Sequence, residues 1–368
     1  MDQLKKISGV DVEVITTLPN RYASFSIDAP RHEERDGVKV NRVALPSHKS
    51  GMLDQMRAFL TYYKEATNLV ANKNYDLVFS TSSRLFTAFL GARISQKKNI
   101  PLYLDIRDVF VDTISDVLSP KISWLAVPFF SMIENYTFKK AQRINLVSAG
   151  FSDYFKSRYP RADYRWFTNG IDNEFLIAAP QSNLENRKKT DKPLTVLYAG
   201  NMGEGQGLHS IIPALAKRLN TKVNFRLLGD GGRKSLLESA LDQISNVKIL
   251  APVSRAELIN EYFDADVLFL HLNDYPAFRK VLPSKIFEYA ALGKPIWAGV
   301  AGYAAEFLNK EVSNVAVFPP GDVDLAISSL GNIKMVDCER KDFVGKFSRD
   351  KIAQCMAQDI VELGKQYE

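Results

Sequence analysis

Short runs of β-branched and aliphatic residues alternate along the chain with longer stretches whose apolar positions recur every three or four residues. Gly, Ser, Asn or Asp marks the change from one to the other. The runs read as buried strands and the stretches as amphipathic helices laid over them. In the first half the pattern predicts strands at Val12–Thr16, Val40–Ala44, Leu77–Ser80, Leu102–Ile106 and Ile144–Val147. Helices are predicted near Leu53–Ala71, Arg84–Gln96, Trp124–Lys140 and Gly150–Arg158. The second half repeats the scheme, with strands at Thr195–Ala199, Asn224–Leu228, Val247–Leu250, Val267–Leu270, Ile296–Ala298 and Ala316–Phe318. Its helices fall near Leu208–Leu219, Lys234–Gln243, Arg255–Phe263, Lys285–Leu292 and Ala304–Leu308. Such alternation builds parallel sheets covered on both faces. Gln181–Lys192, between Ala178 and Pro193, carries neither period and reads as a linker. The expected fold class is therefore α/β, two Rossmann-like doubly wound domains facing a cleft, with ligands at the carboxyl ends of the strands.

Length agrees, since 368 residues at about 150 per domain call for two cores. With 46% hydrophobic and 24% charged residues the composition is that of a folded globular protein. The 48 Lys and Arg against 42 Asp and Glu leave a net charge of +6, which favours an anionic partner, a phosphate-bearing substrate or a lipid surface. Charge alone admits nucleic acid as well, but no motif supports it. Cys338 and Cys355 match no zinc spacing and suit a reducing compartment. His32, His48, His209 and His271 are scattered, and Asp322-Val-Asp324 reads as a surface turn, so no metal site is expected. No apolar run reaches the length of a membrane span, and the first residues lack the apolar core of a signal peptide.

Four segments carry candidate chemistry. Val196 to Leu208 runs from a strand through Gly200, Asn201, Gly203, Glu204, Gly205, Gln206 and Gly207 into a helix. Glycines let the backbone approach a ligand, and the helix N–H groups attract phosphate; a tight turn would also need Gly. Phe225 to Arg233 repeats the arrangement with Gly229, Gly231 and Gly232, and Arg233 opens a helix, where a bound anion or plain solvation explains it. In Pro252-Val253-Ser254-Arg-Ala-Glu257 the spacing is that of a capping box, and a nucleobase can lie against Pro252–Val253. Phe278 to Pro295 sets Arg279, Lys280, Ser284 and Lys285 ahead of the lone carboxylate Glu288. Cations on phosphates with Glu288 on sugar hydroxyls is one reading; an exposed Lys–Glu helix pair is the other.

On these residues the chain resembles the retaining family-4 glycosyltransferases of the GT-B fold, over most of its length. Within them it is most similar to the N-acetylfucosamine-type transferases of bacterial O-antigen and capsule assembly, which share the Pro-Ser-Lys before the glutamate. The resemblance implies an acceptor-binding domain over residues 1–177, a linker at 178–193, a nucleotide-sugar domain at 194–347 and a helix at 348–368 returning to the first domain. It implies that Glu288 binds the ribose and that Gly203 and Gly205 lie by the diphosphate and sugar. Gly200, Asn201, Glu204, Gly229, Val253, Lys280 and Ser284 complete the expected donor site. The family's frequent first glutamate, eight residues before Glu288, is here Lys280, and its loop Arg and Lys are here Asn201 and Gln206. Arg233 and Lys285 are therefore the expected diphosphate cations. Relatives begin with a further strand and glycine loop, so the first domain is expected to lack its first strand.

Asp105, Arg107 and Asp108 end a strand of the first half, where charges are costly unless paired or set in a cleft. They are the catalytic candidates, with a structural Arg107–carboxylate pair as the alternative. Thr168-Asn169-Gly170-Ile171-Asp172 resembles the family's Asn-Gly-x-Asp segment at the domain junction. Lys121, Trp124, Phe129 and Phe130, with His48 through Lys64, mix basic and apolar residues that suit either a lipid leaflet or core packing. The reading that follows is a cytoplasmic, metal-independent transferase without a cofactor, peripheral on the inner face of the membrane. It would move a sugar from a nucleotide diphosphate, with UDP expected, to a polyprenyl-diphosphate-linked saccharide. A nucleotide-sugar-binding protein with little turnover and a GT-B sugar-nucleotide epimerase are the alternatives.

Overall fold

The computed structural model describes residues 1–19, 29–46, 52–82, 84–111, 120–178 and 192–367. Residues 179–191, most of the expected linker, and 47–51, part of the basic–apolar stretch, lie outside them. The first half contains β1 (Val12–Thr17), β2 (His32–Arg35), β3 (Val38–Val43), α1 (Met52–Val70), β4 (Val78–Ser82) and α2 (Leu85–Lys98). It continues with β5 (Leu102–Ile106), α3 (Pro120–Lys140), β6 (Arg143–Leu146), α4 (Ser152–Arg158), β7 (Asp163–Arg165) and α5 (Asn173–Ala178). The second half contains β8 (Leu194–Asn201), α6 (Leu208–Arg218), β9 (Val223–Asp230), α7 (Lys234–Ala240), β10 (Val247–Leu250), α8 (Arg255–Asp264) and β11 (Val267–His271). It ends with α9 (Lys285–Ala291), β12 (Ile296–Gly299), α10 (Tyr303–Glu311), β13 (Val315–Phe318), α11 (Val323–Leu330), α12 (Lys341–Lys346) and α13 (Arg349–Lys365).

The fold is α/β with parallel sheets. In the second half one six-stranded sheet runs β10-β9-β8-β11-β12-β13, every described pair parallel. Strand residues there are buried on both faces, Leu197, Leu268 and Ile296 toward one apolar cluster and Val196, Phe269 and Trp297 toward the other. That is why these strands read as unbroken apolar runs rather than alternating ones. The strand order reverses between β8 and β11, and an α/β sheet opens a crevice outside the carboxyl ends of the strands at such a point.

In the first half the strands fall into two sheets among the described residues, β4-β5-β6-β7 and β1-β3-β2, rather than one. β2 was not foreseen: His-Glu-Glu-Arg has no apolar alternation. It pairs antiparallel with β3 through Asp36 and Gly37, both at positive φ, the pairing that Asp-Gly favours.

The chain crosses back at the end. Ile171 N–H donates to the Phe347 carbonyl at 2.8 Å and Arg349 N–H to the Ile171 carbonyl at 3.1 Å. Helix α13 then lies on the first half, where Asp359 accepts from Tyr103, Arg143 and Arg165, each at 2.9 Å. The halves also touch at the crevice, where Ser148 Oγ donates to the Lys280 carbonyl at 2.6 Å.

Candidate functional site

The site grows from β8. Its last residues, Gly200 and Asn201, pair with Gly229 and Asp230 of β9, and Gly229 has φ +146 with no room for a side chain. A Cβ there would fall 1.9 Å from the Gly200 carbonyl oxygen. Gly229 therefore serves the close approach of the two loops, and only Gly permits it. Past Asn201 the chain makes a single turn of 3-10 helix, Glu204–Gln206, and enters α6 through Gly207 at φ +58.

Residues from across the strand-order reversal hold this loop. Asn273 N–H donates to the Gly205 carbonyl at 2.8 Å, and its side-chain amide donates to the Glu204 carbonyl. The Phe278 ring lies over Gly205, 3.0 Å from where a Cβ would stand. The Glu204 carboxylate accepts from the Tyr275 hydroxyl at 2.8 Å and from Arg233 Nε at 2.6 Å, which together hold it below the usual carboxylate range. His271, buried at the end of β11, donates from Nδ1 to the Gln206 carbonyl at 2.7 Å and accepts the Gly321 N–H at Nε2, 3.1 Å away. Burial pushes this imidazole down to about 4, which matches the neutral form that both bonds require. Asn201 donates to Gln206 Oε1 at 2.8 Å, so the loop's own polar side chains form a neutral pair.

Lys285 opens α9 and reaches back to the loop: a Cβ on Gly200 would lie 2.3 Å from its Nζ. Its ammonium makes no hydrogen bond or ion pair among the described residues, and burial holds its pKa below the usual lysine value, partly offset by Glu288 one turn on. Glu288 is half-buried and accepts from the Tyr262 hydroxyl at 3.1 Å. Ser284 precedes α9, exposed and without a capping bond. Val253 is exposed beyond β10, two strands from β8, while Ser254 and Glu257 form the capping box their spacing predicts.

Other expected residues stand differently. Arg233 is ion-paired with Glu204 inside the site, so the loop supplies it with a counter-charge that the sequence did not reveal. Arg279 is held by Asp274 at 2.6 and 2.7 Å. Lys280 points away from the glycine loops to the first half, its ammonium 5.2 Å from the centre of the Tyr154 ring. That corrects its expected place on the donor phosphates.

In the first half Asp105 is buried and bonded at both oxygens. Thr81 and Arg107 donate to Oδ2 at 2.7 and 3.0 Å, and Asn145 donates to Oδ1 at 2.8 Å. It ties β4, β5 and β6 together and has no oxygen open to a substrate, which corrects its catalytic assignment. Arg107 spends its Nε on Asp105 and Thr81 and an Nη on Asn169 at 3.3 Å. It therefore braces the domain junction instead of holding Asp108. Asp108 is half-buried and accepts from the neighbouring Val109 N–H at 2.9 Å. Asp172 accepts from Arg255 and is ion-paired with Arg349, and Gly170 packs on the Arg349 backbone, so the Asn-Gly-x-Asp segment works as a junction. Tyr275, Asn273 and His271 carried no local signal, because each acts on a loop some 70 residues earlier, Asn273 and Tyr275 at separations of 69 and 71.

Comparison with known families decides the class. Residues 7–170 match the Glycosyl transferase 4-like domain family and residues 181–333 match Glycosyl transferases group 1. The chain joins two domains of glycosyltransferase families in a GT-B fold. Sucrose-phosphate synthase from Thermosynechococcus elongatus superposes with a TM-score of 0.74 at 16% identity, over 98% of this chain and 91% of that one. Anabaena HepE in complex with UDP-glucose superposes with a TM-score of 0.58 at 19% identity, over 90% and 85%. In sequence, 129 residues are 30% identical to WcaI of Escherichia coli (strain K12), named as a colanic acid biosynthesis glycosyl transferase. The match spans 34% of this chain and 30% of that protein, under a third of the relative's length.

Proposed function

We propose that this glycosyltransferase takes its sugar from a nucleotide diphosphate, a UDP-sugar, and passes it with retention to a polyprenyl-diphosphate-linked saccharide in the assembly of a surface polysaccharide such as capsule or O-antigen. An N-acetylfucosamine-type donor and a site of action at the inner membrane face belong to the same reading. The observation that carries it is the ammonium of Lys285, lodged against Gly200 at the strand-order reversal with no ion-pair partner among the described residues. A half-buried cation with no counter-charge is costly until an anion arrives, and a diphosphate supplies it. Glu288, one turn along α9, is in reach of ribose hydroxyls. Lys285 then stabilises the charge that develops on the departing diphosphate. The Nη groups of Arg233, whose Nε remains on Glu204, can add to it. The WcaI match supports the polysaccharide setting, and the HepE complex with UDP-glucose supports the donor class. His271 is bonded at both nitrogens and offers no base, so the epimerase reading gains nothing from the site.

Titration calorimetry with a panel of nucleotide sugars tests the assignment. Lys285→Met should weaken donor binding tenfold or more, the scale of one charge-assisted bond, and Glu288→Gln should do so for the intact nucleotide but not for pyrophosphate. Wild-type affinity in a folded Lys285→Met variant would remove the diphosphate from this place. Transfer to a lipid-linked acceptor, with the anomeric configuration of the product read by NMR, tests retention.

A further inference from the structure

We infer that the exposed faces of α1 and α3 form a docking surface for an anionic phospholipid bilayer, which deepens the proposed function by naming the part of the enzyme that meets the membrane. Twelve large apolar residues are exposed among the described residues, and five of them sit on these two helices. Trp124 (76% exposed), Phe129 and Met132 lie on α3, and Met56 and Leu60 on α1. Isolated exposed apolar side chains are ordinary, but a grouped set marks an interaction surface. The two helices are brought together by α2: the Phe59 and Phe86 rings are 4.6 Å apart, Phe86 and Phe130 5.8 Å, and Phe130 touches Phe129 at 5.5 Å. Phe59 and Phe130 thus flank the first turn of α2, and the exposed Leu60 and Phe129 stand next to them in the chain. That turn follows the carboxyl end of β4, whose Ser82 pairs with Ile106, the residue before Arg107 and Asp108. The apolar surface therefore sits at the crevice end of the first half, where an acceptor must enter.

Charge selects the occupant. Met56, Leu60 and Lys64 follow one another at helical spacing on α1, with Arg57 beside Met56, and Arg57 and Lys64 are exposed without an ion pair among the described residues. On α3 the exposed line Trp124, Pro128, Met132 continues to Lys139 on the same side. Apolar and aromatic side chains interleaved with unpaired cations suit the headgroup boundary of an anionic leaflet, with Trp and Phe in the acyl edge and Arg and Lys on the phosphates. A protein partner of this surface would need acidic residues spread through an apolar core, which interfaces avoid.

Sedimentation of the full chain with vesicles tests this, using mixed phosphatidylglycerol–phosphatidylcholine and phosphatidylcholine alone. The chain should bind the mixed vesicles, less at high salt, and brominated phosphatidylglycerol should quench its tryptophan fluorescence far less in Trp124→Phe. Trp124→Ser with Phe129→Ser should reduce vesicle binding at least tenfold, while Arg57→Glu with Lys64→Glu should remove the preference for phosphatidylglycerol. Donor affinity in solution needs no membrane, so unchanged donor binding beside lost vesicle binding isolates this surface from the donor site. If a double variant fails to fold, Leu60→Ser and Met132→Ser separately report the same loss. The inference is overturned if the wild type ignores anionic vesicles, if the variants bind as well as it does, or if the substitutions instead abolish a dimer seen by light scattering.

Discussion

At the scale of single residues, the site depends on groups whose protonation the fold dictates. His271 titrates near 4 in the folded protein and near 6.5 unfolded, so between these values the unfolded chain binds the extra proton. Its contribution is complete above about pH 6.5 and is lost as pH falls toward 4, at about 1.4 kcal/mol per pH unit. Urea unfolding at several pH values should show wild-type stability dropping through this window more steeply than that of His271→Asn, which keeps a donor and an acceptor but does not titrate. Parallel slopes would mean that the imidazole is not held neutral. Asp108 is the remaining catalytic candidate among the first-half carboxylates, and it accepts from the Val109 N–H. A structural role predicts that Asp108→Asn lowers the melting temperature with transfer per folded molecule retained. A role in orienting the acceptor predicts intact donor binding with transfer down about a hundredfold. Donor titration, melting and transfer on one preparation separate the two.

At the scale of elements, the glycine loops separate what backbone packing demands from what a ligand demands. Gly229→Ala places a methyl on the Gly200 carbonyl, so the β8–β9 pair must part and folding should be lost or cut by several kcal/mol. Gly232, with open space around it, should accept Ala with little change. Thermal melts of the two variants check this; equal effects would show that the loops do not pack as described. Most elements were legible in sequence because their signals are local: β5 and β10 match the apolar runs end for end, and α8 begins at its capping box. β2 was not legible, since its four polar residues are held by hydrogen bonds to β3 alone, and neither was β7, only three residues long.

For the whole molecule, α13 returns to the first half by packing Ala357, Ile360 and Leu363 with Leu4 and Tyr103, and one carboxylate gathers the polar contacts there. Asp359 is buried beneath Tyr103, Arg143 and Arg165, and removing it leaves both guanidinium groups to the half-exposed Asp163 alone, Arg143 fully buried. Asp359→Ala should cost about 1.5–3 kcal/mol, the scale for losing charge-assisted hydrogen bonds, because Asp163 still pairs both arginines. Hydrogen exchange should rise in α13 and in β5–β7, while donor affinity stays within about twofold because the second-half sheet is untouched. Lost donor binding in a folded variant would show that α13 also sets the donor site.

The sequence by itself determined the α/β class, the order of nearly all strands and helices, the glycine loops and the cation–carboxylate segment around Lys285 and Glu288. All of these are written in periodicity and turn chemistry within a dozen residues. Only the tertiary structure decided which of them meet. It paired Arg233 with Glu204, locked Asp105 between Thr81, Arg107 and Asn145, and carried Lys280 across to Tyr154 of the other half. Those partners lie from a few residues to well over a hundred apart in the chain. They are chosen by the order in which strands stack to bury their apolar faces, and no local pattern encodes that order.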